Sequence, residues 1–567
     1  MRTNHTRSAL VFLCLLAAAC SRGGDKPAPT ALPRSADRVF VGGVIYTGLP
    51  GGKVEAVAVA DGRIIAAAGR AEIDAMIDPD TDVIDLQGAA MFPGFVDAHA
   101  HLIGIGMREM TLNLEGVGSI EELVDIVAAA AQETPAGETI YGRGWIETGW
   151  PDARFPARAD LDEASTEHPV ILERADGHAV VANSLALERA GVTRKSADPD
   201  GGRIERDAKG EPTGMLIDNA ALLVSTLIAS PPESVRREAF AIGAGVYAAY
   251  GWTGLHNMSV DPADVALIED EAANGRIGIR VYNAIDRAGY AAISAGAKEG
   301  ADGRVVTRAI KLYVDGALGS RGAALAAPYD DAPDTSGLLL ISEAEALPFF
   351  QQALRDGVQI ATHAIGDRGN TLVLDWYEQA FAAVPAAERR VKDPRWRIEH
   401  AQILDTDDIA RFKALGVIAS MQPSHAIGDL YFAPARLGEA RLDGAYAWRS
   451  LLDAGAVIAG GSDAPVERGD PLIEFYAAVA RKDLKGQSGD NWRANEKITR
   501  AEALALFTSA PAFAAFQEED LGTIEIGRRA DFTVFSKDIM TVPEAEILTA
   551  KPVMTVVDGE IVFKAER

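Results

Sequence analysis

Cysteine is nearly absent. The chain of 567 residues has two, Cys14 and Cys20, both close to the N-terminus. Everything after them lacks a disulfide and has no thiolate to offer a metal. Any metal must therefore be held by His, Asp, Glu or a modified side chain. A basic excess is also missing: 55 Lys and Arg against 82 Asp and Glu leave a formal net charge of −27. Phosphate backbones are bound through basic patches, so the balance argues against nucleic acid as a partner and reads as a solvated acidic surface. Long apolar runs are lacking too. The main candidate, "SALVFLCLLAAAC" at residues 8–20, is too short to span a bilayer as a helix. Histidine is scarce, at nine residues, which makes its placement informative. Composition is otherwise that of a globular protein, and the length is enough to bury a large core in more than one domain.

The N-terminal run has the form of a secretory signal, with Arg2 and Arg7 ahead of an apolar stretch and small residues at its end. Ala17, Ala18 and Ala19 lead into Cys20, a pattern that resembles a bacterial lipobox; simple cleavage after Ala19 without lipid is the alternative. Residues 1–19 are expected to be a signal peptide and residues 20–37 a lipidated Pro/Gly/Ser-rich tether. The expectation is an exported lipoprotein facing the periplasm, touching membrane only through its N-terminal lipid. Ser21 favours the outer membrane in a Gram-negative cell.

From Val39 to Ile84, short strand-like runs alternate with Gly-Gly and Asp-Gly turns, and "LGTIEIGRRADFTVFSKD" and "PVMTVVDGEIVFK" repeat that style near the C-terminus. Residues 38–90 and 516–567 are read as one β-sandwich completed by both termini. Between them, apolar runs end near His99, His256, Asn283, Lys311, His363, His400, Gln422 and Asp463. Most of the gaps suit a strand-helix unit of about 30 residues, predicting an α/β fold with a (β/α)8 TIM-like barrel over residues 91–515. The first gap, 157 residues, is far too long for one unit. A large insertion after barrel strand 1, at about residues 103–230, is expected on the face where barrel active sites form.

Four histidines sit at predicted strand ends: His99 and His101 in "VDAHAHL", His363 in "QIATHAIGD" and His400 in "WRIEHAQ". Asp463 ends the last strand and Lys311 the fourth. Strand side chains alternate, so His99 and His101 face the same side, and barrel strand ends converge at one rim. One buried histidine is usually a packed, hydrogen-bonded residue. Four of them with an Asp and a Lys at successive strand ends point to metal binding.

With "PGFVDAHAHL" at the start, single later histidines and a terminal "SD", the sequence resembles the amidohydrolase superfamily of metal-dependent hydrolases over residues 38–567. "KLYVDGALGSR", "THAIGDRG", "RIEHAQ" and "ADGHAVVANSLAL" are similar to the amidohydrolase 3 branch, which includes N-substituted formamide deformylase. The resemblance implies that His99, His101 and Asp463 hold one divalent metal and His363 with His400 a second. Lys311 would bridge them as a carbamate, with zinc as the expected ion; an unmodified Lys311 beside a single metal is the alternative. It further implies hydrolysis by a metal-activated hydroxide, with Asp463 moving the proton to the leaving group.

Other residues have two readings each. His178 in the insertion either donates to the substrate carbonyl or shapes a local turn. Trp145 walls the pocket or packs in a core. Arg321 meets a substrate carboxylate or is structural, and His425 contacts substrate or packs. His168 and His256 are read as structural, and Asp97 as support for the histidine pair. The glycine-rich pieces lack phosphate-loop spacing, so nucleotide binding is discounted. The expected activity is cleavage of a small-molecule amide C–N bond in the cell envelope. An esterase or lactonase using the same site, or a non-catalytic metal-containing binding lipoprotein, are the alternatives. A homodimer is expected from the family alone.

Overall fold

The computed structural model describes residues 35–152, 154–199, 201–228, 230–488 and 492–566. The expected signal peptide, Cys20 and residues 21–34 of the tether lie outside the described residues.

Eight parallel strands form a nearly closed barrel: β1 (Phe95–Ala100), β2 (Trp252–Val260), β3 (Arg280–Asp286), β4 (Val305–Tyr313), β5 (Gln359–Ala364), β6 (Arg397–His400), β7 (Ile418–Met421) and β8 (Ile458–Gly460). Their continuous apolar runs suit strands buried on both faces, as the inner wall of a helix-covered barrel requires. Each of the eight polar anchors lies on its strand or within three residues of its end. The ring closes beyond β8 through Asp463 N–H donating to the His99 carbonyl at 2.7 Å and His101 N–H to the Ala464 carbonyl at 2.8 Å. Gly461 permits this approach, since a Cβ there would lie 2.5 Å from the His99 nitrogen. Asp97 secures the seam. Its carboxylate accepts from the backbone N–H of His99 and Ser462, from Ser462 Oγ and from Tyr247 Oη, at 2.6 to 3.0 Å.

The chain leaves β1 into α1 (Leu102–Met110) and returns to β2 along α2 (Glu233–Tyr250). Gly106 of α1 has no room for a side chain against the Ala239 carbonyl of α2, so these helices pack at backbone distance. Between them lies the insertion. Its six-stranded sheet has the order Gly202–Arg206, Pro212–Asp218, Ala179–Ala182, Val170–Arg174, Ile140–Trp145, Leu112–Asn113. Apolar clusters cover both of its faces, one around Trp145 and Leu161 and the other around Leu187 and Leu216.

Two further sheets make the β-sandwich. One is built from N-terminal strands alone; the other joins Val44–Tyr46, Lys53–Val54 and Ala90–Pro93 to Phe532–Phe535, Pro552–Val557 and Glu560–Lys564. Phe532–Phe535 pairs with Ala90–Pro93, the strand that feeds directly into β1, so the sandwich is anchored at the first barrel strand. Phe40, Met91, Phe532 and Val556 lie in the core between the sheets.

Candidate metal centre

The C-terminal ends of the barrel strands and the insertion enclose a cavity of about 430 Å³. His99, His101, Lys311, His363, His400 and Asp463 all line it, brought from the ends of four of the eight strands and the segment after β8. Asp463 stands at their centre. Its Oδ1 lies 3.1 Å from His101 Nε2 and 3.4 Å from His99 Nε2, and its Oδ2 lies 3.7 Å from His425 Nε2 and 3.9 Å from His400 Nδ1. Two sets of donor atoms lie close enough together to hold an ion: His99, His101 and Asp463, and His400, His425 and Asp463. Both Asp463 and His400 take left-handed backbone angles, φ 63° and 75°, which cost energy in a non-glycine residue and aim the side chains off the strand ends.

The electrostatics suit a cation. Burial lowers the pKa of His99 to about 4, with the Lys311 charge adding to the effect, and burial holds His363 and His400 well below the ordinary range. These imidazoles are neutral at physiological pH and keep a lone pair for coordination. His363 Nε2 and His425 Nε2 are buried with no hydrogen-bond partner. Orphaned buried nitrogens are costly unless something else satisfies them. The donor set therefore fits a divalent metal with nitrogen and oxygen ligands.

Supporting groups fix the rings. Glu399 Oε2 contacts His99 Nδ1 at 2.6 Å, leaving Nε2 toward the cavity. Burial pushes the Glu399 carboxyl up, but Arg397, bonded to both its oxygens, and His99 outweigh that and hold it well below the usual range. Gln422 Oε1 pairs with His400 Nδ1 at 2.8 Å, while His101 Nδ1 lies 3.1 Å from the Met258 carbonyl. Lys311 Nζ is 3.2 Å from His99 Nε2, and burial lowers its pKa to about 8. Asp315, bonded to the backbone N–H of Ala324, Ile365 and Gly366, approaches His363 Nε2 at 3.6 Å.

The insertion supplies His178, which lines the cavity with its ring 5.2 Å from that of His363. Its Nδ1 pairs at 2.8 Å with Asp218, the last residue of the adjacent strand. Asp218 has φ 48° and ψ −125°, a conformation outside the regions open to most residues. Its side chain is nearly fully buried against Gly316, where a Cβ would come within 2.6 Å of Asp218 Oδ1. His425, on the helix Pro423–Asp429 after β7, also lines the cavity.

Two expectations need correcting. Trp145 does not wall the pocket: it is fully buried in the insertion's core, its indole N–H donating to the Leu172 carbonyl at 3.0 Å beside Trp150. Arg321 does not meet the cavity either, because its guanidinium is held by Asp331 at 2.9 Å outside the lining. The cavity's arginines are Arg143 and Arg174, both from the insertion. Arg174 is bonded to Glu147 and Asp176. Arg397 and Glu399 were legible as charged residues at alternate positions of a buried strand. Asp218 and Asp315 carry no such signal, since the histidines they approach lie far away in sequence.

The amidohydrolase family's sequence profile matches residues 82–563. The chain is 35% identical to the amidohydrolase YtcJ of Bacillus subtilis over 540 residues, covering 93% of this chain and 99% of that one. It is 27% identical to the N-substituted formamide deformylase of Arthrobacter pascens, over 90% of this chain and 95% of that enzyme. An uncharacterized metal-dependent hydrolase from Pyrococcus horikoshii superposes with a TM-score of 0.72 at 26% identity, covering 89% of this chain and 99% of that one. The barrel, the donor cluster and these similarities agree, and the chain belongs to the amidohydrolase family of metal-dependent hydrolases.

Proposed function

We propose that the protein hydrolyses the C–N bond of a small-molecule amide and works outside the cytoplasm, tethered through Cys20. The observation that carries the reaction is the convergence of neutral imidazoles, Lys311 and Asp463 on one cavity. Similarity to a formamide deformylase supports an amide as the substrate class.

His99, His101, His400 and Asp463 would hold the metal together with His363, whose orphaned Nε2 belongs to a residue lining the same cavity, with Lys311 serving as a carbamate ligand and His425 close enough to Asp463 to join the donor set. Bound there, a divalent ion such as zinc supplies a Lewis acid that lowers the pKa of water and polarises a carbonyl. The remaining work falls to the protein. Asp463 lies within 3.9 Å of four imidazoles and takes the proton from the attacking water, then returns it to the departing amine. His178, its ring oriented by Asp218 at Nδ1, donates from Nε2 to the substrate carbonyl oxygen as negative charge develops.

The test is metal analysis of the purified protein, followed by a screen of N-formyl amines, N-acyl amino acids and aryl amides with released amine as the readout. Esters of matching shape are run in parallel. Amine release that depends on metal is the expected result. Ester cleavage with no amide cleavage would replace this reading with an esterase, and bound metal without any turnover would replace it with a binding protein.

A further inference from the structure

A second, larger cavity of about 770 Å³ adjoins the first, between α1 and the edge of the insertion. The two share four lining residues: Ile103, Gly104, Arg143 and Glu173. Side chains that line both chambers set the groove directly beside the reactive centre, where a substrate longer than the centre would extend.

The groove's own chemistry is apolar. Met107 lies on one wall, and Leu227 and Ile228 on the other. Its polar side chains direct their hydrogen bonds back into the protein. Thr111 Oγ1 donates to the Met107 carbonyl at 2.7 Å and Thr139 Oγ1 to the Leu227 carbonyl at 2.8 Å. Tyr141 Oη donates to Glu173. Arg108 is almost wholly buried, bonded to Glu109 and to the Arg468 carbonyl. The exception is Glu138, exposed at the rim. Such a wall offers contact area and few hydrogen bonds, which suits an alkyl or aryl group and leaves a polar chain poorly solvated.

The junction is different. Arg143 and Glu173 pair there at 3.2 Å, yet Arg143 Nε is buried with no hydrogen-bond partner of good geometry. The junction thus presents a paired, largely shielded charge at the boundary between the two chambers.

We propose that this groove is a second subsite, and that the natural substrate is an amide with an extended apolar arm. The amide sits at the metal centre and the arm passes the Arg143–Glu173 pair to lie between Met107 and Leu227. This inference rests on the amide-hydrolase reading for its reaction, but not for its binding surface.

The test uses two homologous series, N-acyl anilides with lengthening acyl chains and N-alkyl formamides with lengthening alkyl chains, which separate an arm on the acyl side from one on the amine side. In the wild-type protein kcat/KM should rise in one series by up to about fourfold per added methylene, the value expected for burying that group. Met107→Trp and Leu227→Trp fill the groove from opposite walls, and each should flatten the rise; using both guards against one failing to fold. Straight-chain carboxylates and amines, titrated by calorimetry, give an affinity that needs no turnover and should show the same length dependence. No rise in either series, or one equally steep in both variants, would overturn the subsite. If no amide is cleaved but probe affinity still grows with chain length and drops in both variants, the subsite stands and the amide reading falls.

Discussion

Asp463 contacts the imidazoles of every histidine flanking it, and its left-handed backbone leaves few other directions for its side chain. Asparagine keeps the shape but cannot carry a proton. Asp463→Asn should therefore lower kcat by about 100-fold or more while the protein melts near the wild-type temperature, measured by amine release and calorimetry. Glu399 makes a different prediction because it touches a candidate ligand and a buried arginine at once. Glu399→Gln leaves Arg397 without its counter-charge, which should cost about 3 kcal/mol of stability. It also frees the His99 ring, which should weaken metal affinity about 10- to 100-fold, read by competition with a chelator. The sequence "RIEH" carried this pair in plain view, since charge at alternate positions of a buried strand has few structural explanations. Trp145 shows the reverse: a tryptophan near a motif has no direction until the insertion's core claims it.

Among the elements, the insertion's contribution is a cross-strand pair. His178, immediately before the strand Ala179–Ala182, and Asp218, at the end of the neighbouring strand, face each other, and the buried carboxylate fixes the ring over the cavity. If they act as one unit, His178→Ala and Asp218→Ala should each lower kcat by about 10- to 100-fold with little change in metal content. The double variant should then be no worse than the poorer single, a non-additivity that a double-mutant cycle measures directly. At the opposite end of the barrel, Arg280 at the start of β3 bonds Asp531 at 2.6 and 2.9 Å and also reaches Asp558, tying sandwich to barrel. Burial raises the Asp558 carboxyl, but Arg280 and Arg529 outweigh it and lower its pKa to about 2. The folded protein thus binds this proton more weakly than the unfolded chain does. The stability it contributes should be complete above about pH 4 and disappear as pH falls through 2. Asp558→Asn should flatten that part of the acid-unfolding curve, followed by far-UV circular dichroism.

At the scale of the whole molecule, the metal proposed for the barrel mouth would join side chains from β1, β4, β5, β6 and the segment after β8. Removing it with a chelator should abolish activity and lower the melting temperature, and zinc should restore both, because a ligand that binds only the folded state stabilises it by mass action. Export belongs to the same scale. Cys20→Ser should release the protein from the membrane fraction of its native cell and end incorporation of labelled fatty acid, whereas unchanged fractionation would remove the lipid anchor.

The sequence by itself determined the barrel, the insertion's place after the first strand and the set of polar strand ends. All three follow from local regularities: buried strands demand apolar runs, βα units have a narrow length range, and a His or Asp interrupting such a run stands out. Tertiary structure alone decided which residues the insertion delivers to the cavity. Asp218 reaches His178 across a strand pair, Arg174 and Arg143 take the place expected of Arg321, and the apolar groove exists only where α1 meets the edge of a distant sheet. Contacts of that kind depend on how two separately packed units dock, and no periodicity along either one encodes it.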